Sequence, residues 1–259
     1  MANIIKEHML SILDNNVRAD GRKFDEYRKI DIEYEVSESA EGSARVKIGD
    51  TEVVVGVKME IGKPFPDNLD EGTIMVNAEL RPFASPDFVS GPPGVDAIEL
   101  ARVVDRILRE SRVINFKELC IKQGESMWTV VVDIYPINDA GNLFDASSLC
   151  ALAALQDVKY PKVDENNVID YKTKTNRNLP LNNLPLGCTV IKIGKKLIVD
   201  PTETEEKLID ARLTVGVLDN GNLCALQKGG NVGFDAKEIS EITEIAIKKT
   251  KEIRKVLKK

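Results

Sequence analysis

Histidine is nearly absent from this chain: His8 is the only one in 259 residues. Ser-His-Asp or Cys-His catalysis would have to run through a residue in the first turns of an amino-terminal helix, which sets that chemistry aside. The four cysteines, Cys120, Cys150, Cys188 and Cys224, lie thirty or more residues apart and form no Cys-x-x-Cys pair. That spacing argues against a zinc site or a disulfide framework and for reduced thiols. No apolar run approaches the ~20 residues a membrane-spanning helix needs, and no signal-peptide pattern opens the chain, so a cytoplasmic protein with no membrane contact is expected. An excess of positive charge is missing as well. The net charge is −6, so binding of a polyanion must come from a local basic patch or a partner.

The chain does have the makings of a soluble globular fold, with 42% hydrophobic and 30% charged residues. Its length suits one large domain or two packed halves, with about 70–75% of the unfolded surface buried on folding. Residues 3–14 read as a short helix, since Ile4, Ile5, Met9 and Ile12 recur at helical spacing. An arginine-rich turn follows, Arg18-Ala-Asp20-Gly21-Arg22. Strands are expected at 30–36, 43–49, 51–61 and 73–80, then a Pro/Gly-rich loop from Arg81 to Gly94, a helix at 96–111, a strand at 128–136 and an apolar helix at 145–157. The polar stretch from Tyr160 to Pro185, broken by three prolines, reads as a linker. Beyond it come short strands near 188–194, 196–200, 213–218 and 223–228, and a long helix at 236–257. An internal echo suggests two related halves: residues 46–55 read VKIGDTEVVV and residues 191–200 read IKIGKKLIVD.

The helix at 96–111 is the sharpest feature. Ala97, Ile98, Ala101, Val104, Ile107 and Leu108 form a stripe that must pack on a sheet. Arg102, Arg106 and Arg109, four and three residues apart, share another face. Arginine's planar fork suits phosphate. On these residues alone, however, a solvated face is the better reading, with Glu99 meeting Arg102 or Arg106 and Asp105 meeting Arg109. The segment Asn138 to Asp145 joins a strand to a helix start, a place where free N–H groups can hold phosphate. Asp145 reads as the N-cap of that helix, an anion already in the chain, and Leu143 and Phe144 have no side-chain donor. The acids Asp200, Glu203, Glu205, Glu206 and Asp210 read as a solvated acidic turn, since Lys207 and Arg212 sit among them and no calcium-loop pattern appears. Neither a metal nor a cofactor is expected. The lysines near the end of the last helix need no role beyond complementing its dipole.

Taken together, Arg18-Ala-Asp20-Gly21-Arg22 with Asp25-Glu26-Tyr27-Arg28, Gly42-Ser43-Ala44, Gly49-Asp50-Thr51 and the run Gly72 to Pro82 resemble the RNase PH family over nearly the whole chain. Residues Ile98 to Arg106, IELARVVDR, resemble a narrower group, the non-catalytic RNase PH-like subunits of the archaeal exosome ring. The resemblance implies an α/β (α+β) RNase PH-like fold of two similar β-α halves with mixed sheets and packed helices. Applied to this chain, it gives an N-terminal helix and Arg-rich turn at 1–29, a first half at 30–159, a linker at 160–187 and a second half at 188–259.

Active members of the family degrade RNA from the 3′ end by phosphorolysis and hold phosphate on a Gly-Thr-Arg-Ser type of turn, which falls here on Gly141, Asn142, Leu143 and Phe144. Their paired aspartates fall on Glu206 and Arg212. The resemblance therefore implies no catalytic residues in this chain. It implies a ring of three such subunits and three catalytic RNase PH-like partners, with RNA-binding cap subunits and single-stranded RNA passing along the interface. Arg102 and Arg106 match family positions that touch RNA; Arg109 joins them by helical spacing only. With the resemblance counted, RNA contact by this face becomes the stronger expectation. Two alternatives stay open: an active phosphorolytic enzyme with a rearranged site built on Glu206, Asp200 or Asp210, and a scaffold that completes a ring without touching RNA.

Overall fold

A computed structural model describes residues 10–164 and 168–257. Residues 10–14 are helical; the rest of the expected first helix, with His8, lies outside the described residues. Twelve strands and three longer helices follow. The first half is a six-stranded sheet built from β1 (Ile30–Tyr34), β2 (Gly42–Ile48), β3 (Thr51–Gly62), β4 (Thr73–Ala78), β5 (Cys120–Lys122) and β6 (Ser126–Asn138). Its order is β1-β2-β3-β6-β4, with β5 paired to β6. Every pairing is antiparallel except β4 on β6, and the crossover to that parallel strand is carried partly by helix α1 (Val95–Glu110). The alternation in β3 sends Val53, Val55, Val57 and Met59 into the core, all with no exposed surface.

Helix α2 (Leu143–Gln156) is buried along every residue from Asp145 to Leu155, as an element wrapped by its neighbours must be. It lies between β2 and β3 of the first sheet and β9 of the second, and so cements the two halves. The second sheet is antiparallel throughout, in the order β10-β9-β11-β12, from β9 (Leu186–Ile193), β10 (Lys196–Val199), β11 (Ala211–Val217) and β12 (Leu223–Gly230). Helix α3 (Ala236–Ile253) covers β9 and β11 and starts with a full capping box between Asp235 and Glu238.

The echoed decapeptides occupy equivalent hairpins. Ile48 faces Thr51 across one turn and Ile193 faces Lys196 across the other. Gly49 and Gly194 take the same left-handed conformation, with φ of 58° and 60°, a region where glycine has no Cβ to clash. The stretch expected to be a linker carries secondary structure of its own. It holds an antiparallel hairpin of β7 (Lys159–Val163) and β8 (Ile169–Asn178), anchored by the buried rings of Tyr160 and Trp128 at 5.6 Å. Pro161 sits in β7, in a two-stranded unit where a missing N–H costs no interior ladder.

Candidate nucleic-acid interface

The arginine-rich turn determines the geometry around the helix start at 143. Arg18 is buried and grips Glu205 with two hydrogen bonds, Nε to Oε1 at 2.9 Å and Nη2 to Oε2 at 2.6 Å. Arg22 and Arg28 converge on Asp200 at 2.7 Å each. Arg28 also donates to the carbonyls of Ala140 and Gly141, at 2.9 and 3.0 Å. One network thus ties the segment before β1, the turn before α2 and the segment after β10. The guanidinium of Arg28 outweighs burial at Asp200 and holds that carboxyl below the usual carboxylate range. The acidic turn is therefore not solvated, as the sequence suggested. Asp200 and Glu205 are buried counter-ions for arginines more than 170 residues away, while Glu203, Thr204 and Lys207 are exposed.

The turn itself departs from expectation in its cap. Asn142, not Asp145, is the N-cap of α2; it lies in the left-handed region with φ 64° and is fully buried. Its backbone N–H donates to Glu206 Oε1 at 2.9 Å. Its side-chain amide donates to Asp145 Oδ2 at 3.1 Å and to Asp200 Oδ1 at 2.9 Å. Asp145 sits one turn deeper and accepts from the Tyr27 hydroxyl at 2.6 Å. Burial pushes the Asp145 carboxyl up to about 6. Gly141, with φ 92°, leaves no room for a side chain: a Cβ there would lie 2.5 Å from the Pro201 carbonyl. Its N–H donates to Asp139 at 3.0 Å. The N–H groups of Gly141 and Asn142 thus point to carboxylates of the chain.

Beside the turn opens a cleft of about 260 Å³. Four carboxyl groups line it, Asp96, Glu99, Asp139 and Glu206, against one guanidinium, Arg212, with Leu143 and Phe144 among the apolar walls. Arg212 is held in place: it bonds Glu99 at 2.5 Å and lies 4.1 Å from the centroid of Phe144. Burial, reinforced by the nearby Asp139, raises the Glu206 carboxyl to about 7. A cleft with this balance repels a phosphate dianion, and its one cation is already neutralised. The expected internal anion is present, but it is Glu206 from the second half and not Asp145.

On α1, the expected face is divided. Arg102 is exposed and makes no hydrogen bond or ion pair among the described residues. Arg106 is exposed and donates only to Gln227 Oε1 of β12, at 3.2 Å. Arg109 is turned back instead: it binds both oxygens of Asp105, at 3.1 and 2.8 Å, and also the carbonyl of Ile74. The anticipated pairing of Glu99 with Arg102 or Arg106 does not form, because Arg212 has taken Glu99. Ile98, assigned to the packed stripe, is 49% exposed, while Leu100 and Val103 are buried in its stead.

Residues 26–161 match domain 1 of the 3′ exoribonuclease family and residues 183–249 match domain 2. The exosome complex component Rrp42 of Methanopyrus kandleri is 43% identical over 262 aligned positions, covering 100% of this chain and 97% of that one. The protein of the same name from Archaeoglobus fulgidus is 45% identical, with 100% and 97% covered. A chain from an Archaeoglobus fulgidus exosome with RNA bound to the active site superposes with a TM-score of 0.91 at 45% identity, covering 98% of this chain and 97% of that one.

Proposed function

Because this chain belongs to the RNase PH family of 3′ exoribonucleases, we propose that it is a core-ring subunit of an exosome that performs no phosphorolysis itself and guides RNA toward a catalytic partner. The exosome assignment rests on relatives named as exosome components at 43 to 45% identity across the whole chain. The observation that carries the inactive role is the bond from the Asn142 N–H to Glu206. Phosphorolysis sets an anionic nucleophile against an anionic diester, so its site must supply positive charge and a proton donor in register. Here the N–H groups of Gly141 and Asn142 serve internal carboxylates, and the arginine that could compensate is paired with Glu99.

The two free guanidinium groups, Arg102 and Arg106, supply the RNA contact. They stand on a rigid helix four residues apart, solvated and uncommitted to internal acids. Arg109 acts through them: by engaging Asp105 it removes a carboxylate from the same face. Contacts of this kind read the backbone and not the bases, and they weaken with salt. The ring holds three such chains and three catalytic RNase PH-like subunits, with RNA-binding caps above the entry. Incubating the purified chain with oligo(A), phosphate and magnesium should release no ADP, and adding the catalytic subunit should start release. ADP production by this chain alone refutes the assignment.

A further inference from the structure

The eight residues of 171–178, Tyr-Lys-Thr-Lys-Thr-Asn-Arg-Asn, hold three cations, one ring, two hydroxyls and two amides with no acid, in a chain whose net charge is −6. All eight lie on β8, which pairs only with β7 and leaves its other edge open. Lys172 and Lys174 lie two residues apart, about 7 Å along a strand, in the stretch where the pairing with β7 shifts register. Both are exposed, and among the described residues neither has a carboxylate at ion-pair distance. The neighbouring Asp170 is occupied, since its Oδ1 accepts the Lys172 N–H at 3.0 Å. Arg177 stacks on the Tyr160 ring at 4.4 Å, which steadies the guanidinium without using its N–H donors. Tyr171 is 47% exposed, with Lys58 Nζ 4.4 Å from its ring centre. One exposed acid, Glu60, acts on Tyr171 from β3.

We propose that β8 is a second contact for single-stranded RNA, separate from the arginine face of α1, with Lys172, Lys174 and Arg177 on phosphates and Tyr171 offering a stacking surface. Three cations within six residues, with an aromatic ring just before the first, suit a polymer with repeated charge and flat bases. An acidic protein partner would want exposed apolar anchors among the cations, and residues 172–178 carry none; Ile169 at the start of the strand is packed on the core. A membrane surface would want an apolar face to bury, which is equally missing. The proposal takes only the identity of the polymer from the ring reading.

The test uses the full chain and fluorescein-labelled oligo(A), titrated at several salt concentrations. Lys172→Gln, Lys174→Gln and Arg177→Gln combined should lower affinity about tenfold or more at 0.1 M salt and flatten the log–log salt slope by about 2, at roughly 0.7 for each phosphate no longer neutralised. The circular dichroism spectrum should not change. In parallel, Arg102→Gln with Arg106→Gln reports on the α1 face. Weaker binding by the α1 variant with none by the β8 variant overturns this proposal and leaves the ring reading intact. Weaker binding by the β8 variant alone supports it and counts against the α1 contact. A β8 variant that binds oligo(A) normally but no longer binds polyglutamate also overturns it, in favour of an acidic protein.

Discussion

Replacing Glu206 with glutamine should stabilise the fold, and the gain should grow with pH. The glutamine oxygen can still accept the Asn142 N–H, so the substitution mainly removes a charge. In the folded chain the carboxyl titrates near 7, against an ordinary 4.5. Below pH 4.5 both states carry the proton and Glu206 costs nothing. Between 4.5 and 7 the unfolded chain gives up its proton while the folded chain retains it, and stability falls with each unit. Above 7 the penalty is complete, at most about 3 kcal/mol from 1.36 kcal/mol per pKa unit. The difference between variant and wild type should therefore widen by about 2–3 kcal/mol from pH 5 to pH 8, on top of a constant offset from exchanging a carboxylate acceptor for an amide. Urea denaturation at pH 5, 6, 7 and 8 measures it directly. A difference that stays flat, or shrinks as pH rises, refutes the view that Glu206 is a buried, poorly paired anion.

Other outcomes follow from the same contacts. Alanine at Arg102 and Arg106 should weaken RNA binding by the assembled ring in a salt-dependent way and leave the melting temperature nearly unchanged, since neither side chain is packed. Alanine at Arg109 should act the other way, costing stability of about 1 kcal/mol through Asp105 and the Ile74 carbonyl with a smaller effect on RNA. Asp200→Ala should destabilise by about 3–5 kcal/mol in chemical denaturation, because it strands Arg22 and Arg28 beside a buried backbone. Gly141→Ala should cost upward of about 1–3 kcal/mol, from the overlap with Pro201 and the left-handed φ together.

The parts of this fold that local pattern governs were readable from the chain. Alternating valines placed β3, the helical stripe placed α1 to within a residue at each end, and the glycine of each echoed hairpin marked its turn. What escaped depends on partners distant in sequence. Nothing near residue 205 indicates that Arg18 will bury itself there, 187 positions away, so the acids looked solvated. Nothing near Asp145 shows that a carboxylate 64 residues past Asn142 will take the turn's N–H first. The polar composition of 160–178 concealed a hairpin because few of its residues anchor it, chiefly Tyr160, Pro161, Val163, Ile169 and Thr175, with the rest of β8 exposed. On α1 the spacing correctly joined Asp105 to Arg109, whereas Glu99 was drawn off by Arg212, a residue 113 positions downstream.

That the chain's own carboxylate occupies the turn where an active relative would hold phosphate is tested most directly by soaking crystals of the assembled ring in tungstate. Heavy-atom density is expected in the partner's sites only, with Glu206 still on the Asn142 N–H. An ion seated on the N–H groups of Gly141 and Asn142, with Glu206 swung away, contradicts it.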